Sequence, residues 1–218
     1  MGLNKPFNPL LGETFEIYED GKFYFIGEQV CHHPPVSAFH IIGDSGYKKY
    51  GTFNSKTSFG VGTMSFSNIF NEYIDIDEHG EKFEFEPPCL SFHNLVVGTP
   101  YIDIEGTGTL RDLKNPDKLA TIKFHKRGWT SQENNFKVEG FIYRNKDDLA
   151  FTFSGKWNDK IILTDCATGE TEVAWQKKPY PEDWQFMYGM TYHGLQMNHL
   201  TKKLKEQIPH TDSRLRPD

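Results

Sequence analysis

The sequence lacks the features that would place it in a membrane or in the secretory pathway. No apolar run approaches the ~20 residues that a transmembrane helix needs, and the mean hydropathy is -0.61. The N-terminus has no signal-peptide-like apolar stretch, and position 6 lacks the Ser or Thr that myristoylation of Gly2 requires. The few cysteines, Cys31, Cys89 and Cys166, show no paired spacing. These absences predict a soluble cytosolic protein with free thiols.

The chain also lacks an excess of positive charge. Its formal net charge of -6 argues against a broad basic surface for nucleic acid or for an anionic membrane, so we expect no nucleic-acid partner. An anionic ligand would have to meet a local group of cations. The candidate groups are Lys48-Lys49, Lys177-Lys178, Lys202-Lys203-Lys205 and Arg214-Arg216. Solvated surface is the simpler interpretation of each group.

Aromatic and β-branched residues alternate with polar ones along most of the chain, and turn residues interrupt them. Phe15 and Ile17 lead to Asp20-Gly21, and Phe23 and Phe25 continue at alternate positions, which predicts a hairpin. Further strands are predicted at residues 74–76, 83–85, 95–104, 119–124, 138–143, 149–153, 161–163 and 171–175. So many sequential antiparallel strands predict a mainly β sandwich or closed sheet, because a flat open sheet leaves its edges exposed.

Aromatic side chains are abundant in these strands. The chain has 18 Phe, 10 Tyr and 4 Trp, more than a thin sandwich core needs, and in a wide barrel they can line a lipid-sized cavity. Ordinary core packing explains them equally well. No linker or internal repeat divides the chain, so residues 1–218 are predicted to form one domain.

Helical spacing is confined to the C-terminal part of the chain. Leu200, Leu204 and Ile208 fall on one side of a helix, and Pro209 ends whatever precedes it. Residues 187–197 fit a strand as well as a helix. The segment as a whole is therefore ambiguous.

His32-His33-Pro34-Pro35 is the least ordinary string in the sequence. Two successive prolines cannot donate to a sheet ladder, so the string belongs at an edge, a mouth or a bend. Adjacent side chains of an extended strand point to opposite faces. Both histidines therefore reach one ligand only where the strand twists or bulges.

Three chemistries compete for this string. A metal site built from Cys31, His32, His33 and His40 matches no usual zinc spacing. A nucleophile made of Cys31 and an imidazole lacks an oxyanion-hole signature, and adjacent residues rarely form a catalytic pair. Anion binding fits better, because imidazoles become protonated beside phosphate and Lys5 lies in a second proline-punctuated segment. Structural histidines and a surface lysine are the plainer alternative.

Two of these strings resemble the signature segments of a known family. Residues 28–35 (EQVCHHPP) resemble the EQVSHHPP fingerprint of the oxysterol-binding-protein-related family, and residues 5–13 resemble its KPxNPxLGE segment. Residues 92–98, 155–158 and 211–218 also resemble family segments, in family order. The chain is identified as a member of the family by this resemblance.

The resemblance implies both a fold and a function. Domains of the family are mainly β: large, nearly closed antiparallel barrels with few short helices around a hydrophobic tunnel that holds one lipid. They commonly exchange phosphatidylinositol 4-phosphate for a sterol or phosphatidylserine between membranes. Lys5, Asn8, His32 and His33 match family positions that hold the inositol phosphate at the tunnel mouth. The resemblance thus implies lipid transfer at membrane contact sites by a cytoplasmic protein, without enzymatic activity, metal or cofactor.

Two other functions are compatible with these residues. One is a lipid sensor or scaffold that binds membranes without net transfer. The other is a lipid hydrolase that uses Cys31 with His32. The resemblance also favours a strand over a helix for residues 187–197.

The chain departs from the family pattern in three places. Cys31 replaces the usual Ser, which removes a hydroxyl but keeps the size, so a mild effect is expected. The family's N-terminal lid and C-terminal helix are expected to lie outside residues 1–218. A phosphomonoester carries roughly -1.5 to -2 charge, which Lys5 and two partly charged histidines do not balance. The sequence therefore predicts either a fragment or a shortened member with altered lipid handling.

Overall fold

Residues 8–128, 133–186, 190, 194–195, 197 and 199–216 are described in this computed structural model of the protein. Contacts along the backbone divide the chain into two compact units. Unit 1 contains the residues up to Asn54 and those from Pro179 onward, and unit 2 contains Ser55–Lys178.

Unit 1 contains an antiparallel meander in which each strand pairs with the next. Its strands are β1 (Thr14–Glu19), β2 (Phe23–Cys31), β3 (Val36–Gly43) and β4 (Tyr47–Phe53). The predicted hairpin at Asp20-Gly21 is confirmed, since Glu19 pairs with Phe23 across it. Gly21 has a φ of 68°, a left-handed conformation that glycine adopts without strain.

The C-terminal part of unit 1 contains the helix α1 (Lys202–Gln207). Thr201 caps its N-terminus, because the Thr201 hydroxyl accepts a hydrogen bond from the Leu204 N–H (3.1 Å). The helix ends before Pro209, as predicted, but of the three residues with helical spacing it contains Leu204, whereas Leu200 and Ile208 lie outside it. The predicted strand at residues 187–197 lies largely outside the described residues.

Unit 2 is built from antiparallel strands with one branch. The described strands are β5 (Ser55–Gly60), β6 (Thr63–Asn68), β7 (Glu72–Ile76), β8 (Glu81–Glu86), β9 (Cys89–His93), β10 (Tyr101–Asp112), β11 (Leu119–Phe124), β12 (Lys137–Asn145), β13 (Asp148–Lys156), β14 (Lys160–Asp165) and β15 (Thr171–Gln176). A continuous path runs from β7 through β8 and β10 and then in sequence order to β15. The long strand β10 also pairs with β9, which pairs with β6, and β6 pairs with β5.

The predicted fold class, mainly β with a large antiparallel sheet, is confirmed. The strand predicted at residues 119–124 coincides with β11. The single strand predicted at residues 95–104 is wrong, because β9 ends at His93 and β10 begins at Tyr101. The described strands form an open sheet within each unit. Closure into a barrel around a tunnel, and a single domain of residues 1–218, stay predictions.

The most deeply buried side chains of the described residues are mostly polar. Val138 and Ala150 are the apolar residues in this class, whereas Ser91, Asp103 and Asp212 are each no more than 2% exposed. Most aromatic and aliphatic side chains of the strands are only partly buried. Burial of apolar area normally drives folding, so these strands retain apolar surface that the described residues do not cover.

Candidate functional site

A turn of residues 32–35 joins β2 to β3 and carries the predicted histidines. The two strands change register around Val30, which is the extra residue of a β-bulge. Two adjacent histidines can reach one ligand only where the strand twists or bulges, and this bulge lies two residues before His32. His32 and His33 are exposed, and their ring centroids lie 4.5 Å apart with an interplanar angle of 66°. The turn therefore presents two adjacent imidazoles to solvent.

Gln29 fixes the base of this turn. Its buried side chain donates from Nε2 to the Cys31 carbonyl oxygen (2.8 Å), and its Oε1 accepts from the Ser37 hydroxyl (2.5 Å). These partners lie at the end of β2 and the start of β3. Because both ends of the buried amide are satisfied, Gln29 holds the two strand ends together below the histidines.

The second predicted motif docks on the same strand end. The Gly12 N–H donates to the Gln29 carbonyl (2.8 Å), and the Gln29 N–H donates to the Glu13 carbonyl (3.0 Å). A turn precedes this contact, in which the Leu10 N–H donates to Glu13 Oε2 (2.7 Å). Asn8 lies just before the turn and is exposed. The two motifs are therefore joined through Gln29, three residues before the first histidine.

Arg216 holds the Asn8 segment from the other end of the sequence. Its Nη1 donates to the Asn8 carbonyl (3.0 Å) and to Glu13 Oε2 (3.2 Å). Sequence reasoning assigned Arg216 only to a group of surface cations and gave Glu13 no role. The available signal was that both residues lie in segments resembling the family. In the structure the Arg216 charge is paired with a carboxylate.

Asp212 and Arg214 anchor the C-terminal segment to β1. Arg214 donates from Nε and Nη2 to the two carboxylate oxygens of Asp212 (2.8 and 2.7 Å), and from Nη2 to the Glu16 carbonyl (2.7 Å). Its guanidinium also lies 4.7 Å from the centre of the Phe15 ring. Only 5% of the Arg214 side chain is exposed. Its interpretation as a solvated surface cation is therefore wrong.

The charge of Asp212 is set by these hydrogen bonds. Burial alone would raise the pKa of Asp212, but the hydrogen bonds and positive charge of Arg214 outweigh burial and hold that pKa below its ordinary value. The carboxylate is thus ionised beside the arginine. This ion pair gives the segment that ends at Arg216 a fixed attachment to β1.

Three of the four residues predicted to hold the headgroup fall in the described part of the chain. Asn8, His32 and His33 are exposed, and hydrogen bonds through Gln29 connect their segments. Lys5 lies outside the described residues. The role of all four in binding a headgroup stays a prediction.

Neither metal chemistry nor a membrane span is evident in the described residues. Within them, no group of three or more His, Cys, Asp and Glu side chains is arranged to hold a metal ion. Also within them, no helix has both the length and the apolar character needed to cross a membrane.

A second candidate surface is an apolar sheet face in unit 2. Residues paired across neighbouring strands share a face. One face carries the row Phe59, Met64, Phe92 and Ile102 and the row Phe66, Leu90 and Ile104. The other face carries the row Ser58, Ser65, Ser91 and Asp103.

At β9 and β10 the polar face is the more deeply buried of the two, which is the reverse of an ordinary soluble sheet. Ser91 and Asp103 are each 1% exposed, whereas Phe59, Leu90 and Ile102 are 79%, 38% and 47% exposed. The apolar face therefore offers surface for a hydrocarbon ligand.

Comparison with known sequences identifies the relatives of this chain. The sequence model of the family described as oxysterol-binding protein matches residues 1–218. Human oxysterol-binding protein-related protein 3 is 30% identical over 217 residues, which cover 99% of this chain and 24% of that protein. Arabidopsis thaliana oxysterol-binding protein-related protein 1B is 33% identical over 218 residues, which cover 98% of this chain and 43% of that protein. The chain thus spans less than half the length of these relatives.

Solved structures show the same fold. The Osh3 ORD from Saccharomyces cerevisiae in complex with PI(4)P has a TM-score of 0.84 and 29% identity, covering 99% of this chain and 56% of that chain. The Osh1 ORD domain in complex with ergosterol has a TM-score of 0.85 and 26% identity, covering 98% and 54%. These relatives are lipid-binding proteins and not enzymes, as predicted for this chain. The chain belongs to the oxysterol-binding protein family.

Proposed function

We propose that this domain binds the headgroup of phosphatidylinositol 4-phosphate with Lys5, Asn8, His32 and His33. It then carries that lipid between membranes in exchange for a sterol or phosphatidylserine. The observation that carries this proposal is the bulged turn of residues 32–35, which presents two adjacent exposed imidazoles and is hydrogen-bonded through Gln29 to the Asn8 segment. The relatives solved with PI(4)P and with ergosterol support the two lipid classes.

The chemistry of the turn suits a phosphomonoester. Each imidazole has ring nitrogens that donate hydrogen bonds, and an imidazole beside a phosphate is favoured in its protonated form. Both rings are exposed, so an approaching headgroup does not first have to displace protein atoms. Lys5 adds a point charge and the Asn8 amide adds neutral donors and acceptors. Arg216 is already paired with Glu13, so it acts as a support for the Asn8 segment.

The apolar face of β5, β6, β9 and β10 suits a hydrocarbon ligand such as a sterol. Burying hydrocarbon against such a face contributes about 0.8 kcal/mol per methylene. We therefore assign the sterol to this apolar face. Such a protein would act in the cytoplasm and meet membranes transiently, at membrane contact sites.

The test is extraction of phosphatidylinositol 4-phosphate from liposomes by the wild-type chain and by the His32→Ala/His33→Ala variant. We expect the double variant to lose extraction while its thermal unfolding stays nearly unchanged, because both rings are exposed. His79→Ala is the matched control, since His79 is also an exposed histidine, at the end of a short 3-10 helix between β7 and β8, and should leave extraction unaltered.

Two results would contradict parts of this proposal. Full extraction by the double variant would remove the histidines from the headgroup site. Binding of wild-type protein to the liposomes without transfer of lipid to acceptor liposomes would favour a lipid sensor or scaffold over a transfer protein.

A further inference from the structure

Two neighbouring loop tips in unit 2 carry four apolar side chains that are almost wholly exposed. Phe59 and Val61, at the β5–β6 turn, are 79% and 104% exposed. Val96 and Val97, in the loop between β9 and β10, are 79% and 80% exposed. The Leu95 N–H donates to the Gly62 carbonyl (3.0 Å), which joins the two tips. The four side chains therefore lie on two loop tips that a backbone hydrogen bond joins, and they are here called the apolar tips.

Hydrogen bonds define the shape of the apolar tips. Gly60 pairs with Thr63, so the β5–β6 turn contains only two residues between its strands. In the other loop, the Asn94 side-chain amide donates to the Thr99 carbonyl (3.1 Å). The backbone of both loops is thus ordered without burying the apolar side chains. Binding through them requires little further ordering of the chain.

The two sequence segments that carry the apolar tips contain no charged residue. Residues 57–71 and residues 94–102 contain no Asp, Glu, Lys or Arg, although 25% of the whole chain is charged. A protein interface normally surrounds its apolar centre with a polar rim. A surface that enters a lipid bilayer must instead avoid charges, because moving a charge out of water is costly.

We propose that the apolar tips dock the protein on the surface of an electrically neutral lipid bilayer, with Phe59, Val61, Val96 and Val97 inserted between the headgroups. Convex tips with exposed side chains fit a soft lipid surface, whereas they would need matching pockets on a protein partner. The inference goes beyond the proposed headgroup site and does not depend on it, since all four residues belong to unit 2.

The experiment is flotation of the full chain with vesicles of phosphatidylcholine alone. We expect wild-type protein to float with the vesicles. The variant with Phe59→Ser, Val61→Ser, Val96→Ser and Val97→Ser should bind at least about tenfold more weakly, because each apolar side chain loses its burial in lipid. Adding phosphatidylserine should change the binding little. Val173→Ser is the matched control, because Val173 is 54% exposed in β15 and should leave binding unchanged.

Folding and headgroup binding are measured separately. Val61→Asp is a second variant, and its position is fully exposed, so loss of vesicle binding by this folded protein cannot arise from lost packing. Binding of a water-soluble short-chain phosphatidylinositol 4-phosphate, measured without vesicles, should be equal in wild type and in Val61→Asp, since Val61 belongs neither to the headgroup site nor to the apolar sheet face. If the short-chain lipid does not bind even to wild type, the proposed headgroup site is refuted. Flotation with vesicles still tests the role of the apolar tips in that case.

Three outcomes would overturn the inference. The first is wild-type protein that does not float with phosphatidylcholine vesicles. The second is a tip variant that floats as well as wild type. The third is a wild-type dimer in sedimentation that the tip substitutions dissociate, because the tips would then bind a second copy of the chain.

Discussion

Two buried aspartates, one in each unit, face arginines in different ways. Asp212 in unit 1 accepts from Arg214 N (2.9 Å), Nε (2.8 Å) and Nη2 (2.7 Å) and from Glu16 N (3.4 Å). Asp103 in unit 2 accepts from the Ile104 N–H (3.1 Å). Its Oδ2 lies 3.5 Å from Arg127 Nε, and neither atom has a hydrogen-bond partner. The two carboxylates are equally hidden from solvent but unequally paired.

Their pKa values move in opposite directions as a result. Burial raises the pKa of Asp103, and the charge of Arg127 opposes this shift without cancelling it. At Asp212 the hydrogen bonds and charge of Arg214 outweigh burial, and the pKa is lowered. The difference teaches that hydrogen bonds to the carboxylate, more than depth, decide whether a buried aspartate stays ionised in this protein.

The two arginines explain the unequal pairing. Arg214 directs its guanidinium fork at Asp212 and places its face over one aromatic ring. Arg127 lies over two rings, with its guanidinium carbon 4.4 Å from the centre of Tyr101 and 4.5 Å from that of Phe136. Cation–π contacts therefore hold Arg127. The Arg214–Asp212 pair anchors the C-terminal segment to β1. Arg216, in the same segment, holds the Asn8 segment of the candidate headgroup site.

The largest expected effect is that of removing Arg214. Arg214→Met should lower the free energy of unfolding by about 3 kcal/mol, because it leaves the buried Asp212 carboxylate without its charged partner. Arg127→Met should cost about 1 kcal/mol, since its ion pair is long and mainly ring contacts are lost. Denaturant unfolding of both variants measures the contrast. Equal losses would show that the two pairs contribute alike despite their geometry.

An intermediate effect is the pH dependence of the two aspartates. The pKa of Asp212 is lowered by folding, so its stabilisation is complete above the ordinary carboxyl value of about 3.9 and is lost as the pH falls below that value. The pKa of Asp103 is raised, so its ionisation destabilises the fold at neutral pH, and this penalty disappears as the pH falls through the raised pKa.

Substitution by asparagine isolates each contribution. The stability of wild type relative to Asp212→Asn should decrease on acidification from neutral pH. The stability of wild type relative to Asp103→Asn should increase over the same titration. Unfolding free energies measured at several pH values give both differences. If both stability differences changed in the same direction with pH, the pKa values of Asp212 and Asp103 would not be shifted in opposite directions.

The smallest expected effect is at an exposed ion pair. Arg144 Nη1 lies 3.2 Å from Asp148 Oδ2, a distance similar to those of the buried pairs, but the two side chains are 52% and 42% exposed. Arg144→Ala should change the free energy of unfolding by at most about 0.5 kcal/mol, because solvent screens the pair. A loss near that of Arg214→Met would show that pairing geometry alone, without burial, sets the energy.

Features marked by neighbouring residues could be predicted from the sequence, and features made by distant contacts could not. The Asp20-Gly21 hairpin and β11 follow from turn residues and alternation. The strand predicted at residues 95–104 failed because its valines have high β propensity, whereas the contact that fixes the loop there comes from Gly62 in another hairpin.

The candidate site divides in the same way. The two prolines at positions 34 and 35 placed the histidines at a bend, as found. The bulge at Val30 and the docking of Gly12 on Gln29 depend on pairing between segments, which spacing does not reveal. Arg214 was misjudged because its burial depends on Glu16, which lies 198 residues away in the chain.

The contacts between the two ends of the sequence also set an order of assembly during synthesis. Thr14 donates from its N–H to the Thr211 carbonyl (2.9 Å), and Arg216 reaches back to the Asn8 carbonyl. Translation at roughly 5–20 residues per second separates the emergence of these partners by on the order of 10–40 s. The meander β1–β4 can form in that interval. The Asn8 segment receives the Arg216 contact only when Arg216 has left the ribosome, so the candidate headgroup site is completed long after its histidines have been synthesised.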